Sequence, residues 1–178
     1  MIDQPAVTTG RSTLDSINKK TVVSGLLWDK ISLFREQLTQ VEGSISSHTE
    51  EMEDFMPLEH HFGDDGLYTR KIFMPLGALV VSYIHKQAHP SFLLEGDISV
   101  LQDNGEVKRL KAPCIIQTEV GTQRVFYIHS DTVFTCVYKT NKKTVAEAEA
   151  ELYTLNYKDL PIEVINNRIN GTQKHKLS

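Results

Sequence analysis

The chain has 178 residues, 40% of them hydrophobic, which is enough for one barrel-sized core of about 100 residues with extensions but not for two independent domains. A net charge of −4 with a pI near 6.0 leaves no basic footprint for nucleic acid. No run of residues has the length or apolarity of a membrane span, and MIDQPAVTTGRSTLDS lacks the charged and apolar regions of a signal peptide.

Residues 1–20 are polar, without apolar periodicity, and read as a flexible N-terminal arm. Within residues 21–43, Leu27, Ile31, Phe34, Leu38 and Val41 recur at spacings of four and three, which predicts an amphipathic helix with Ser24 as N-cap and Gly43 as terminator. Its seam admits two readings: packing on the outside of a barrel, or a short coiled coil between subunits. Residues 44–66 are acidic and carry His48, His60 and His61. Adjacent residues of a strand point to opposite faces, so Glu59, His60 and His61 do not converge on one ion, and the segment reads as a solvated linker.

From Leu67 the pattern becomes strand-like, with Leu67, Thr69 and Lys71 alternating against Tyr68, Arg70 and Ile72, and Pro75–Gly77 supplies a turn. Further apolar runs are broken at Asp103–Gly105 and Glu119–Gly121, the pattern of antiparallel hairpins. Cys114 and Cys136 sit in apolar strand contexts and read as reduced, buried thiols, with a disulfide between neighbouring strands as the alternative. Thr144 and Glu147 have capping-box spacing ahead of a helix over residues 141–155, and Glu147, Glu149 and Glu151 read as its solvated surface. Residues 156–178 hold Leu160, Ile162, Val164, Ile165 and Ile169, a C-terminal arm able to dock on a neighbour.

The segment Gly77–Gly96 resembles the first motif of the cupin superfamily in its spacing: Gly77, five residues, Tyr83, one, His85, three, His89, six, Gly96. The second motif falls on Pro113, Glu119, Gly121, Arg124 and Ile128, of which only the hairpin glycine agrees. The resemblance implies a mainly β fold, a single cupin (double-stranded β-helix, or jelly-roll) barrel over residues 67–140 with an N-terminal helix and a short C-terminal helix. In cupins a metal is held by two His and a Glu of the first motif and a His of the second; here those places carry Tyr83, His85, His89 and Arg124. A guanidinium has no lone pair for a metal. No metal is therefore the favoured reading, with a divalent transition metal on His85 and His89 as the alternative. Residues 67–155, with Ala112–Pro113, Arg124, Asp131–Thr132 and the Glu-rich helix, also resemble cupin-like proteins encoded by tailed bacteriophages. That implies synthesis in a host cytoplasm without secretion, a place in the virion or its assembly, other phage structural proteins as partners, and a homo-oligomer.

Three functions remain open. The favoured one is a non-catalytic interaction or structural protein. The second is a metal-dependent enzyme of dioxygenase or isomerase type, with Tyr83 as third ligand or acid. The third is a metal-free binder of an anionic small molecule or sugar, held by Tyr83, His85, His89 and Arg124.

Overall fold

The computed structural model of the chain describes residues 6–9 and 26–174, with side chains over residues 26–170. In chain order the elements are β1 (Ala6–Thr9), α1 (Leu27–Leu38), β2 (Ile45–Ser46), α2 (Glu50–Phe55), β3 (Leu58–Phe62), β4 (Leu67–Met74), β5 (Ala78–Val81) and β6 (Ile84–His85). They continue with β7 (His89–Leu101), β8 (Val107–Lys111), β9 (Cys114–Thr118), β10 (Val125–Lys139), α3 (Val145–Leu152), β11 (Tyr153–Thr154), a 3-10 turn (Tyr157–Asp159) and α4 (Ile162–Lys174). The fold is mainly β, one antiparallel barrel flanked by an N-terminal helix and C-terminal helices, as the fold-class expectation has it.

Two long strands organise the barrel. At 13 and 15 residues, β7 and β10 are far longer than the usual five or six, and each serves two sets of partners. The first half of β7 pairs with β9 and its second half with β8. β10 pairs with β5 at its start and with β4 from Thr132 to Lys139, while running along β7 on its other side. The β7–β10 register shifts between Ile128 and Phe134, and such irregularities let a strand bend from one sheet into the next. At that bend Gly96 adopts φ +103° against Asp131 and Thr132. The interior is filled by Leu93, Ile98, Val100, Phe126, Ile128 and Phe134, alternating with more exposed neighbours as strand geometry requires.

Helix α1 lies on the outer face of the barrel. Ile31 and Leu38 pack against Leu79 and Val81 of β5, while Ala78 and Val80 on the same strand face the interior. The seam residues Leu27 and Phe34 flank this contact, but the buried face also includes Trp28 and Arg35, which the four-three spacing omits. Trp28 stacks on Tyr157 with ring centroids 5.0 Å apart, and its Nε1 donates to the Gly121 carbonyl at 2.8 Å. We expect Trp28→Phe, which keeps the stack and removes that bond, to lower stability by about 1 kcal/mol. Urea melts of the two proteins measure it, and identical midpoints would show that the indole N–H contributes nothing.

Three segment boundaries differ from the sequence expectation. Residues 44–66 are not a solvated linker: α2 buries Met52 and Met56 in the barrel core, and β3 pairs with β4 from Leu58↔Ile72 to Phe62↔Tyr68. The acidic residues mask this, because Glu51, Glu53 and Asp54 face solvent while the apolar minority turns inward. Residues 156–170 do not form a free arm, since Leu160 and Val164 pack against Trp28 and the Gly121 backbone of the same chain. Of residues 1–20, only 6–9 are described, and they form β1 between β2 and β5; Ser24 and residues 175–178 lie outside the described residues. Both cysteines are free thiols, Cys136 buried and Cys114 half-buried. No helix among the described residues is long and apolar enough to cross a membrane.

Candidate functional site

One end of the barrel gathers a polar cluster from five strands and one loop residue. β6 brings His85, the start of β7 His89, β4 Arg70, and the end of β10 Tyr138, while β11 brings Tyr153 by pairing Tyr153↔His85. Arg124 enters from the residue just before β10. The sequence alternation of β4 explains Arg70: it lies between Tyr68 and Ile72 on the face that points into the barrel.

His85 and His89 do come together, with ring centroids 4.7 Å apart and only 8% and 2% of their surface exposed. Tyr138 covers them, its ring 4.1 Å from His89 and 6.4 Å from His85. The hydroxyls order the protons. Tyr153 donates to Tyr138 at 2.7 Å, so Tyr138 turns its own hydrogen toward Nδ1 of His85 in a long bond of 3.4 Å. Nδ1 of His89 donates to the Gln87 carbonyl at 2.9 Å, and its buried Nε2 has no hydrogen-bond partner. Burial pushes the His85 pKa well down, reinforced by His89, Arg124 and Arg70. Burial likewise pushes His89 down to about 4, against a partial opposing effect of the Gln87 carbonyl and with help from Arg124. Both imidazoles are neutral at pH 7, and burial raises the phenols of Tyr138 and Tyr153.

Tyr83 is placed otherwise than the motif frame implies. Its hydroxyl meets Ser47 at 3.0 Å and His48 at 3.3 Å, away from the imidazole pair, although its side chain borders the same interior cavity. Arg124 is buried, 7% exposed, and donates to the Thr118 hydroxyl at 2.8 Å and to the Gln117 carbonyl at 3.4 Å.

The donor set does not suit a metal. Two neutral imidazoles are present, but the third place holds a phenol bonded elsewhere and the fourth a buried guanidinium, which repels a cation and offers no lone pair. Among the described residues no group of three or more His, Cys, Asp and Glu side chains converges as a metal site would require. The cavity beside the pair, between Met56, Phe126, Arg70, Arg124 and His85, measures about 80 Å³. Pockets for ordinary small molecules run to roughly 300–1,000 Å³, so a sugar does not fit this interior.

Sequence reasoning missed five residues here. Glu149, read as helix surface, is only 14% exposed and lies 3.4 Å from His48 Nε2 and 3.8 Å from Arg70 Nε. Glu151 likewise accepts from the Thr140 hydroxyl at 2.7 Å instead of standing free. α3 is turned by the burial of Ala148 and Leu152, which carries the adjacent Glu149 toward the barrel end. Tyr153, Arg70 and His48 complete the set. His48 adopts φ +62°, uncommon for a residue with a side chain, and no local sequence signal marks it.

No protein-family model and no curated protein matches the chain. Solved structures do. Ectoine synthase from P. lautus is 15% identical over 60% of this chain and 85% of that chain, with a TM-score of 0.46. The Cupin_2 domain of an XRE family transcriptional regulator from Enterobacter cloacae is 16% identical over 49% of this chain and 99% of that domain, with a TM-score of 0.42. An acetylacetone dioxygenase from Acinetobacter johnsonii is 18% identical over 54% of this chain and 75% of that chain, with a TM-score of 0.41.

Proposed function

We propose that this chain is a non-catalytic, cupin-like interaction or structural protein that binds no divalent metal and associates with copies of itself. The observation that carries the reading is the closure of the imidazole pair: Tyr138 stacks over His85 and His89, and Arg124 takes the place of a fourth donor. A buried phenol over both imidazoles, with a guanidinium where a fourth donor would sit, supports that reading. The resemblance of residues 67–155 to cupin-like proteins of tailed bacteriophages supports a role in a virion or its assembly, with synthesis in the host cytoplasm and phage structural proteins as partners. Self-association is supported by the outer surface. Among the described residues β8 and β9 each pair only with β7, and Val107 and Ile115 on them are 68% and 71% exposed, an apolar edge that a second copy would cover.

The purified protein is expected to carry sub-stoichiometric transition metal, and chelation is expected to leave its melting temperature unchanged. Elemental analysis decides this, with His85→Ala as control. A stoichiometric metal that disappears in the variant would overturn the reading in favour of the metal-dependent enzyme.

A further inference from the structure

We propose that the barrel interior holds a small monovalent anion, of formate or chloride size, between Arg124 and Arg70. Both guanidiniums border the cavity of about 80 Å³. Among the described residues Arg124 has no carboxylate within ion-pair distance; its bonds go to a hydroxyl and a carbonyl, which leave its charge uncompensated. The carboxylate of Asp103 acts on Arg124 only from a distance and is committed to Arg168, 2.7 Å away. Among the described residues Glu149 is the single acidic partner of Arg70, at 3.8 Å, and its other oxygen serves His48. One buried and one partly buried cation therefore share one carboxylate, and the interior is short of one negative charge. Buried charges persist in proteins when they are paired, because transfer from water without compensation is costly.

Donors and size agree with that deficit. Nε of Arg70 is buried and has no hydrogen-bond partner. Arg124 has five N–H groups, and its two hydrogen bonds leave others free to face the cavity. The space is several times the roughly 10–15 Å³ that one water needs on the same measure, which admits chloride or formate. Met52, Met56, Phe126 and Phe134 supply an apolar part of the wall, against which the anion would rest while held by guanidinium.

The full-length protein, dialysed into sodium gluconate, is titrated with sodium formate or sodium chloride at constant ionic strength. Gluconate is too large for the cavity. We expect a saturable rise in Tm, on the order of 5 °C at a hundredfold excess over Kd, with either small anion, and Arg124→Gln is expected to abolish it. In parallel, ¹³C-formate resonances should broaden in the presence of wild-type protein and sharpen again when chloride is added. A Tm independent of the anion, or an Arg124→Gln protein that keeps the full response, would show that the ions act on the surface. Should that variant not fold, formate broadening that chloride fails to relieve overturns the proposal by itself.

Discussion

Gly96→Ala is expected to destabilise the protein by about 4 kcal/mol. Two costs add. The backbone at Gly96 sits at φ +103°, a conformation worth on the order of 1–3 kcal/mol of strain for a residue with a side chain. The added Cβ would also overlap Thr132 Oγ1 and lie 2.8 Å from both the Asp131 carbonyl oxygen and Thr132 Cα. Backbone cannot rotate away, and Thr132 is fully buried with its hydroxyl donating to the Ser130 carbonyl, so overpacking adds roughly 1–3 kcal/mol more. Gly77→Ala is the control. Its φ of +84° is equally left-handed, but nothing lies within 4 Å of the added carbon, so only the conformational cost remains, about 1 kcal/mol. Against a domain stability of about 5–15 kcal/mol, urea melts separate the two variants easily. A Gly96→Ala midpoint equal to that of Gly77→Ala would show that β10 yields at the crossing.

The same glycine explains why the fold was readable and the site only partly so. Gly77 and Gly96 bracket the first motif because the backbone itself demands them: one makes a turn, the other lets β7 cross β10. Such requirements are local and leave a fixed spacing in the sequence. His85 and His89 were readable for the same reason, lying four residues apart around one bend. Arg70 and Glu149 were not, because their meeting depends on α3 settling on the barrel end, a contact between segments almost eighty residues apart. Met52 and Met56 were hidden by composition: a run of carboxylates reads as solvated even when two residues in it are core. Trp28 was hidden by period, since the four-three seam from Leu27 passes one position to its side and its partner Gly121 lies 93 residues away.

Lowering the pH from 7 to 5 is expected to reduce the unfolding free energy by at least about 2 kcal/mol. His89 titrates near 4 in the folded protein and His85 also lies well below the ordinary histidine value, both first because burial disfavours the cation. In the unfolded chain both return to about 6.5. The unfolded state therefore binds more protons below pH 6.5, so this stability is fully present above that value and is lost progressively as the pH falls toward about 4. Over the 1.5 pH units from 6.5 to 5, at about 1.36 kcal/mol per unit, His89 alone accounts for about 2 kcal/mol, and His85 acts in the same direction. His60 is also lowered to about 4 by burial, but it is partly exposed and adds less. The paired carboxylates Glu59 and Asp97 titrate below this window, so pH 5–7 isolates the imidazoles. Urea midpoints at pH 7, 6 and 5 should fall steadily, and His89→Gln should flatten the slope, whereas a level profile would mean that the imidazoles charge freely inside the barrel. A histidine working as an acid, a base or a metal ligand needs its lone pair or proton within reach of a reactant. Here burial, with Arg124 adding repulsion, favours the neutral form of both rings, so their packing at the barrel end is what the pH series reports.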